Sequence, residues 1–250
     1  MNKLYISALS GCLCWSAMAM AATTPAPMTA TQAKQLNAQA QSENALISQV
    51  QAAQAAKDWP KAESALSQLI ALDPQRWEYR QALADVQLRQ AKYAEAADSY
   101  TAALLAAGKA KLTPGIRQAM ATMYNNEGNA FLKLKRNDDA IKAYTQAAQL
   151  SDKPATALFN LCAVQFNLGK MDGALSACDK TIAADPTKAD AYFIKGSILL
   201  GNSTVDANGK TVAPPGTVEA LQKYLQLLPN GPHVADVKAM LDYLNGVPPK

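Results

Sequence analysis

Residues 121–154 and 155–188 are two 34-residue segments that align without a gap. Tyr124 falls over Leu158, Asn126 over Asn160, Gly128 over Cys162, Ala140 over Ala174 and Tyr144 over Cys178. A fixed period of this length constrains the fold before any single residue does, because each period is one repeated supersecondary unit. Each unit holds two segments with apolar or small residues at helical spacing. In the first copy these are Tyr124, Gly128 and Phe131, then Ala140, Tyr144 and Ala147. Lys135 to Asp139 is the polar turn between them. Gly128 and Ala140 are small enough to let two helices approach, and Tyr124, Phe131 and Tyr144 fill the space to the next pair. One helix pair cannot bury its apolar face alone, so the pairs must stack.

This pattern resembles the tetratricopeptide repeat family, with its W-x2-L-G-x2-Y stretch followed by A-x3-F, A and P. The unit at 121–154 supplies Tyr124, Gly128, Phe131, Ala140, Tyr144 and Ala147, with Asn126 and Asn129, and its proline comes late, at Pro154. The unit at 155–188 supplies Leu158, Asn160, Leu161, Gly169, Ala174 and Pro186, while Cys162 and Cys178 replace the small and the aromatic residue. The resemblance implies an all-α, right-handed superhelical solenoid of about five helix pairs with a C-terminal capping helix. Divergent first and second units are read at 43–76, from Ala62 and Pro74, and at 77–110, from Leu83, Ala84, Tyr93, Ala96, Tyr100 and Ala103. Ten extra residues, Lys111 to Met120, precede the third unit. Thr113 and Pro114 read there as the N-cap and first position of one lengthened helix to Lys135. The fifth unit, 189–231, begins with Tyr192, Gly196 and Leu199, breaks at an insertion over 202–217, and resumes at Ala220 and Tyr224. Asn208-Gly209 between short alternating runs points to a hairpin, with an irregular loop ending at Pro214-Pro215 as the alternative. A cap helix is expected at 232–245, with Val234, Val237, Leu241 and Leu244 turned inward.

Residues 1–21 read as a secretory signal peptide: Lys3, an apolar run from Leu4 to Met20, and A-x-A sites ending at Ala19 and Ala21. Its style is bacterial. Leu9-Ser10-Gly11-Cys12 resembles a lipobox, so a lipid anchor on Cys12 stays open as an alternative. Residues 22–41 read as an Ala, Thr, Pro and Gln linker. Helix is permitted from Thr31, and the first helix of the stack, whose 42–246 span forms the solenoid, is expected from Ser42. Export removes Lys3 from 24 basic residues against 20 acidic ones, leaving a net charge of +3. These charges are scattered, which argues against nucleic acid as a partner, and against a membrane unless Cys12 is lipidated.

Little catalytic chemistry is on offer. His233 stands alone at a helix start, where a surface or capping role is expected. The mature chain has no His-x-x-x-His, Cys-x-x-Cys or phosphate-cradling glycine run. Asp206 to Gly209 lacks the further ligands of a calcium loop. No catalytic residue, cofactor or metal is therefore expected. Cys162 and Cys178 lie in the two helices of one unit. A disulfide in an oxidising compartment and two buried thiols are both open.

The resemblance places ligand contacts on one face of each unit's first helix. Here those positions hold Asn125, Asn126, Asn129 and Lys133, then Phe159, Asn160, Phe166 and Asn167, then Phe193. Asparagine amides both donate and accept, which suits a peptide backbone, and phenylalanines are apolar anchors. The alternative is that Asn126, Asn129 and Asn160 are family-consensus helix residues and that Phe166 packs between units. The Lys and Arg pattern that clamps a C-terminal carboxylate in some family members is missing. The expected function is a non-catalytic scaffold, periplasmic or secreted, that binds a peptide segment of an exported or envelope protein. An outer-membrane-anchored assembly factor and a cell-wall-active enzyme subunit are the alternatives; the enzyme would need an acid/base carboxylate pair that no spacing here suggests.

Overall fold

The computed structural model describes residues 29–246. The expected signal segment, Cys12 and the start of the linker lie outside the described residues. The chain divides into two compact units, residues 1–41 and 42–250. In the first, the described residues form the opening turns of helix α1 (Ala30–Ala55). Thr29 caps it: its Oγ1 accepts from the Gln32 N–H at 3.2 Å, while Gln32 Oε1 accepts from the Thr29 N–H at 2.9 Å. The helix thus begins at Ala30, inside the segment read as a linker. Nothing from Ala30 to Ala55 breaks a helix, and alanine and glutamine are good helix formers.

The second unit continues α1 and adds α2 (Trp59–Leu72), α3 (Trp77–Arg89), α4 (Tyr93–Ala107), α5 (Pro114–Lys133), α6 (Asn137–Leu150), α7 (Ala155–Asn167), α8 (Met171–Ala184), α9 (Ala189–Gly201), α10 (Thr217–Leu227) and α11 (Val234–Leu244). The helices pair in sequence as α3–α4, α5–α6, α7–α8 and α9–α10, and α11 packs last, on α10; Val50 and Ala53 of α1 share a buried core with Ala62, Ala65 and Leu66 of α2. Each pair meets through small residues: Ala84 and Ala96, Gly128 and Ala140, and Cys162 and Ala174, the alanines and Cys162 showing no exposed surface. An added Cβ on Gly128 would sit 2.7 Å from the Tyr144 ring, so only glycine fits there.

The first helix of each of the first four pairs ends on a left-handed residue at the same place in the period. These are Lys57, Ala91 and Lys135, with φ of 57°, 58° and 58°, and Gly169, with φ of 71°. The left-handed step turns the chain back onto the second helix. In the fifth pair an antiparallel hairpin replaces this turn. Strands β1 (Thr204–Val205) and β2 (Thr211–Val212) pair Thr204 with Val212 and Val205 with Thr211. Asp206 Oδ1 closes its turn by accepting from the Asn208 and Lys210 N–H groups at 2.8 and 2.9 Å. Thr113 caps α5 as its sequence indicates, accepting from the Ile116 N–H at 3.2 Å ahead of Pro114.

Both ends of the stack are solvated. Tyr79, Met123, Ala157, Ala191 and Val237 occupy one periodic position and are buried against the preceding pair. Ala45 has that position in α1 and is exposed, together with Gln49 and Ala52. Lys238 and Asp242 of α11 and its C-cap Asn245 stand where Tyr124, Gly128 and Phe131 of the third pair receive their second helix, and all three are exposed. The polar outer face at α11 is of the kind that closes a repeat stack.

Candidate functional site

Helices α3, α5, α7 and α9 are the first helices of successive pairs. Positions five and nine of each 34-residue period fall on one face of its first helix, because they lie about one turn apart, and position six stands beside them. Hydrogen bonds tie these faces together. Asn160 Nδ2 of α7 donates to Asn125 Oδ1 of α5 at 3.0 Å. Asn126 Nδ2 of α5 donates to Asp85 Oδ1 of α3 at 3.4 Å. Two tyrosines reach the same face from second helices: Tyr144 O–H donates to Asn129 Oδ1 at 2.8 Å, and Tyr100 O–H donates to Asp85.

Between α5 and α7 lies an open depression of about 370 Å³. Asn129, Asn160 and Asn167 line it, around apolar surface from Leu132, Ala163 and Val164. A smaller depression of about 200 Å³ takes in Thr122, Asn125, Lys153 and Thr156. Since Asn125 lines one depression and Asn160 the other, their hydrogen bond spans the ground between the two. The larger depression has amide edges, an apolar base and no charged side chain in its lining. That chemistry suits a neutral extended chain with one apolar side chain.

The structure distributes the expected contact residues unevenly. Asn125, Asn129, Asn160 and Asn167 are brought together as described. Asn126 is turned to Asp85 and serves the joint between the second and third pairs. Lys133 is exposed one turn beyond Asn129. Phe159 is half-buried, and the Lys188 ammonium lies 4.9 Å from its ring centre. Phe166 is half-buried and packs against the cluster of Cys162, Cys178, Ile194 and Ile198. Phe193 is half-buried, and one face of its ring is stacked on His233, beside the cap helix, at 4.0 Å and 3° between planes. His233 is the residue just before α11, and its N–H donates to the Tyr224 hydroxyl at 3.0 Å.

Sequence reading puts Asp85 at a matching position of this face but missed the tyrosine hydroxyls that bond to Asp85 and Asn129. The signal is the spacing: Asp85 to Tyr100 and Asn129 to Tyr144 are each fifteen residues apart. Burial pushes the Asp85 carboxyl above the usual range, against hydrogen bonds from Tyr100 and Asn126 and the Arg89 charge, which pull it down. Burial likewise raises the Glu127 carboxyl, which accepts from Thr101 Oγ1 at 2.6 Å. Cys162 and Cys178 face each other across α7 and α8 with Cα atoms 5.2 Å apart, within the range of a disulfide. Among the described residues no cluster of three metal-ligating side chains exists, and no helix is long and apolar enough to cross a membrane.

A model of the tetratricopeptide repeat family matches residues 47–111 and 125–189. Hsp70-Hsp90 organizing protein 2 of Arabidopsis thaliana is 30% identical over 120 residues, which is 48% of this chain and 19% of that protein. U-box domain-containing protein 70 of Oryza sativa subsp. japonica is 33% identical over 87 residues, 34% of this chain and 11% of that protein. The chain therefore matches less than a fifth of the length of these curated relatives. Among solved structures, a tetratricopeptide repeat protein from Parabacteroides merdae superposes with a TM-score of 0.63 at 19% identity, covering 83% of this chain and 75% of that one. YrrB, described as having an unusual peptide-binding site, gives 0.59 at 19% identity over 76% and 88%. PilF of Pseudomonas aeruginosa gives 0.56 at 17% identity over 84% and 90%. At these identities the structural likeness shows the fold alone.

Proposed function

This chain belongs to the tetratricopeptide repeat family, and from that premise we propose that the face formed by α5 and α7 holds an extended, uncharged segment of a second exported protein. Proteins of the family are in general non-catalytic interaction scaffolds that bind protein or peptide partners, and the chain is read here as one that works without catalysis. One observation carries the reading: Asn129, Asn160 and Asn167 gather at one depression over Leu132, Ala163 and Val164. Amides on that edge can pair with the N–H and C=O groups of a passing backbone while the apolar base takes a side chain. The lack of charge in the depression favours an internal segment over a terminal carboxylate. The signal-like sequence of residues 1–21 supports a meeting outside the cytoplasm.

A photo-crosslinking residue at Asn167 tests this in envelope extract. The expected result is a discrete adduct with one protein, whose binding Asn129→Ala and Phe159→Ala each weaken by about 1–3 kcal/mol without loss of helicity. Wild-type affinity in both variants overturns the assignment. Intact mass of the mature chain reads out its export: cleavage after Ala19 or Ala21 is expected, whereas a lipidated Cys12 makes the protein an outer-membrane-anchored factor instead.

A further inference from the structure

Tyr124, Phe131 and Tyr144 fill the third helix pair, and the same three places in the fourth hold Leu158, Gln165 and Cys178. Three aromatic rings have become smaller or polar side chains. Two of the replacements, Leu158 and Gln165, line a hollow of about 340 Å³ between α6, α7 and α8. Leu158, Leu161 and Gln165 of α7 line it, with Gly173 and Lys180 of α8 and Gln149 of α6. At 3.6 residues per turn, Leu158, Leu161 and Gln165 lie on the side of α7 opposite Phe159 and Ala163. The hollow is therefore separate from the asparagine-lined face. Gly173 deepens it: an added Cβ there would lie 1.8 Å from Gln165 Oε1, so the Gln165 amide rests on bare α8 backbone.

The lining of this hollow carries a single charge. Lys180 is the one charged side chain in its lining, and it makes no ion pair among the described residues. Asp179, its neighbour in the chain, is already held by Lys195 Nζ at 2.7 Å. Amide groups from Gln149 and Gln165 complete a rim able to hydrogen-bond a backbone.

We propose that this hollow is a second docking surface, which takes an acidic segment of a partner protein, seating one apolar side chain over Leu158 and Leu161 and one carboxylate on Lys180. The scaffold then has two independent faces on the same helix, α7, and can hold two chains at once. Two of the helices that wall it, α7 and α8, are packed together through Cys162, Ala174 and Ala177.

The test is a nuclear magnetic resonance titration of the full chain with two capped pentapeptides. One carries a leucine and a glutamate two residues apart; the other has lysine in place of the glutamate. The acidic peptide is expected to shift the backbone amide signals of Gly173, Ser176 and Lys180 saturably. The lysine peptide should bind about two- to fivefold more weakly, the effect of one exposed ion pair. Lys180→Gln should bring the two peptides to equal affinity, and Gly173→Leu should abolish both sets of shifts by displacing Gln165 into the hollow. Phe159→Ala, on the opposite side, should leave them unchanged, which separates this surface from the asparagine-lined one. The proposal is overturned if no saturable shift occurs at millimolar peptide, if the shifts fall on Asn129, Asn160 and Asn167 instead, or if both peptides bind the wild-type chain equally.

Discussion

The third and fourth helix pairs share one period and close in different ways. In the third, Gly128 has no Cβ, the Tyr144 ring takes that space, and its hydroxyl continues through to Asn129 at 2.8 Å. In the fourth, the same two places hold Cys162 and Cys178, both without exposed surface. Nothing reaches through from α8, and the residue matching Asn129 is Ala163. The third pair thus couples its interior packing to an amide on the outer face. In the fourth the two are uncoupled: its interior closes on itself, and Asn160 bonds to Asn125 of α5 rather than to a residue of α8. Repeats tolerate such exchange because each interior needs only matched volume and short reach, while the backbone period is kept by small residues such as Ala140 and Ala174, both fully buried.

The largest expected effect is in the third pair. Tyr144→Ala removes a ring with 1% exposure and should cost about 3–5 kcal/mol of stability in urea unfolding. It should also free the Asn129 side chain, visible as altered shifts of its amide protons. A loss well below 2 kcal/mol would mean that α5 and α6 collapse onto the vacancy and that the coupling to Asn129 is weak.

The fourth pair should answer to redox conditions instead. We predict that Cys162 and Cys178 are joined by a disulfide in an oxidising compartment, closing a loop across 16 residues. Thiol titration of unfolded, unreduced mature protein should then find no free thiol. Reductant should lower stability by about 3 kcal/mol in the chain-entropy account, while Tyr144→Ala should cost the same with and without it. Two titratable thiols per mature chain before reduction would refute the bridge, and the fourth pair would then be held by sulfur packing alone.

The repeat frame was legible because helix period and unit length are both written in residue spacing. Thr113-Pro114 marked the start of α5, and Asn208-Gly209 marked the hairpin, since each dipeptide restricts its own backbone. The start of α1 was obscured because alanine and glutamine suit linker and helix alike. The asparagines of the candidate face could be located by period but not assigned partners. That Asn126 turns to Asp85, and that Phe193 lies under His233, depends on how α5 meets α3 and how the cap helix docks. Those are contacts between elements, and spacing within one helix does not encode them. The sixteen-residue separation of the cysteines placed them on facing helices, yet only the backbone shows their Cα atoms 5.2 Å apart.

The smallest effect concerns pH and extends the comparison to the second pair. One position carries a carboxylate in Asp85, an amide in Asn129 and a methyl in Ala163. Burial raises the Asp85 carboxyl; the Tyr100 hydroxyl and Asn126 amide donate to it and, with Arg89, oppose that rise. Glu127, packed nearby in sequence on α5, is raised by burial too, with Thr101 and Arg136 opposing and Asp139 adding. A carboxyl raised in the folded chain is more readily protonated there than in the unfolded chain, whose values lie near about 4. Just above that value the folded state therefore holds more protons than the unfolded one, and stability falls as pH rises through the folded values. Glu63 acts in a different window. Burial pushes its carboxyl up, but hydrogen bonds from Lys92, Gln90 and Gln87 outweigh this and hold it low, so its stabilisation is lost only as pH falls further. Asp85→Asn with Glu127→Gln should flatten the decline of the urea midpoint between mild acid and neutrality, and should leave the response to reductant at Cys162 and Cys178 untouched. The effect is modest because both carboxylates already have donors. An unchanged slope in the double variant would show that neither group titrates in that window, and that the polar position of the second pair is as indifferent to pH as Ala163 in the fourth.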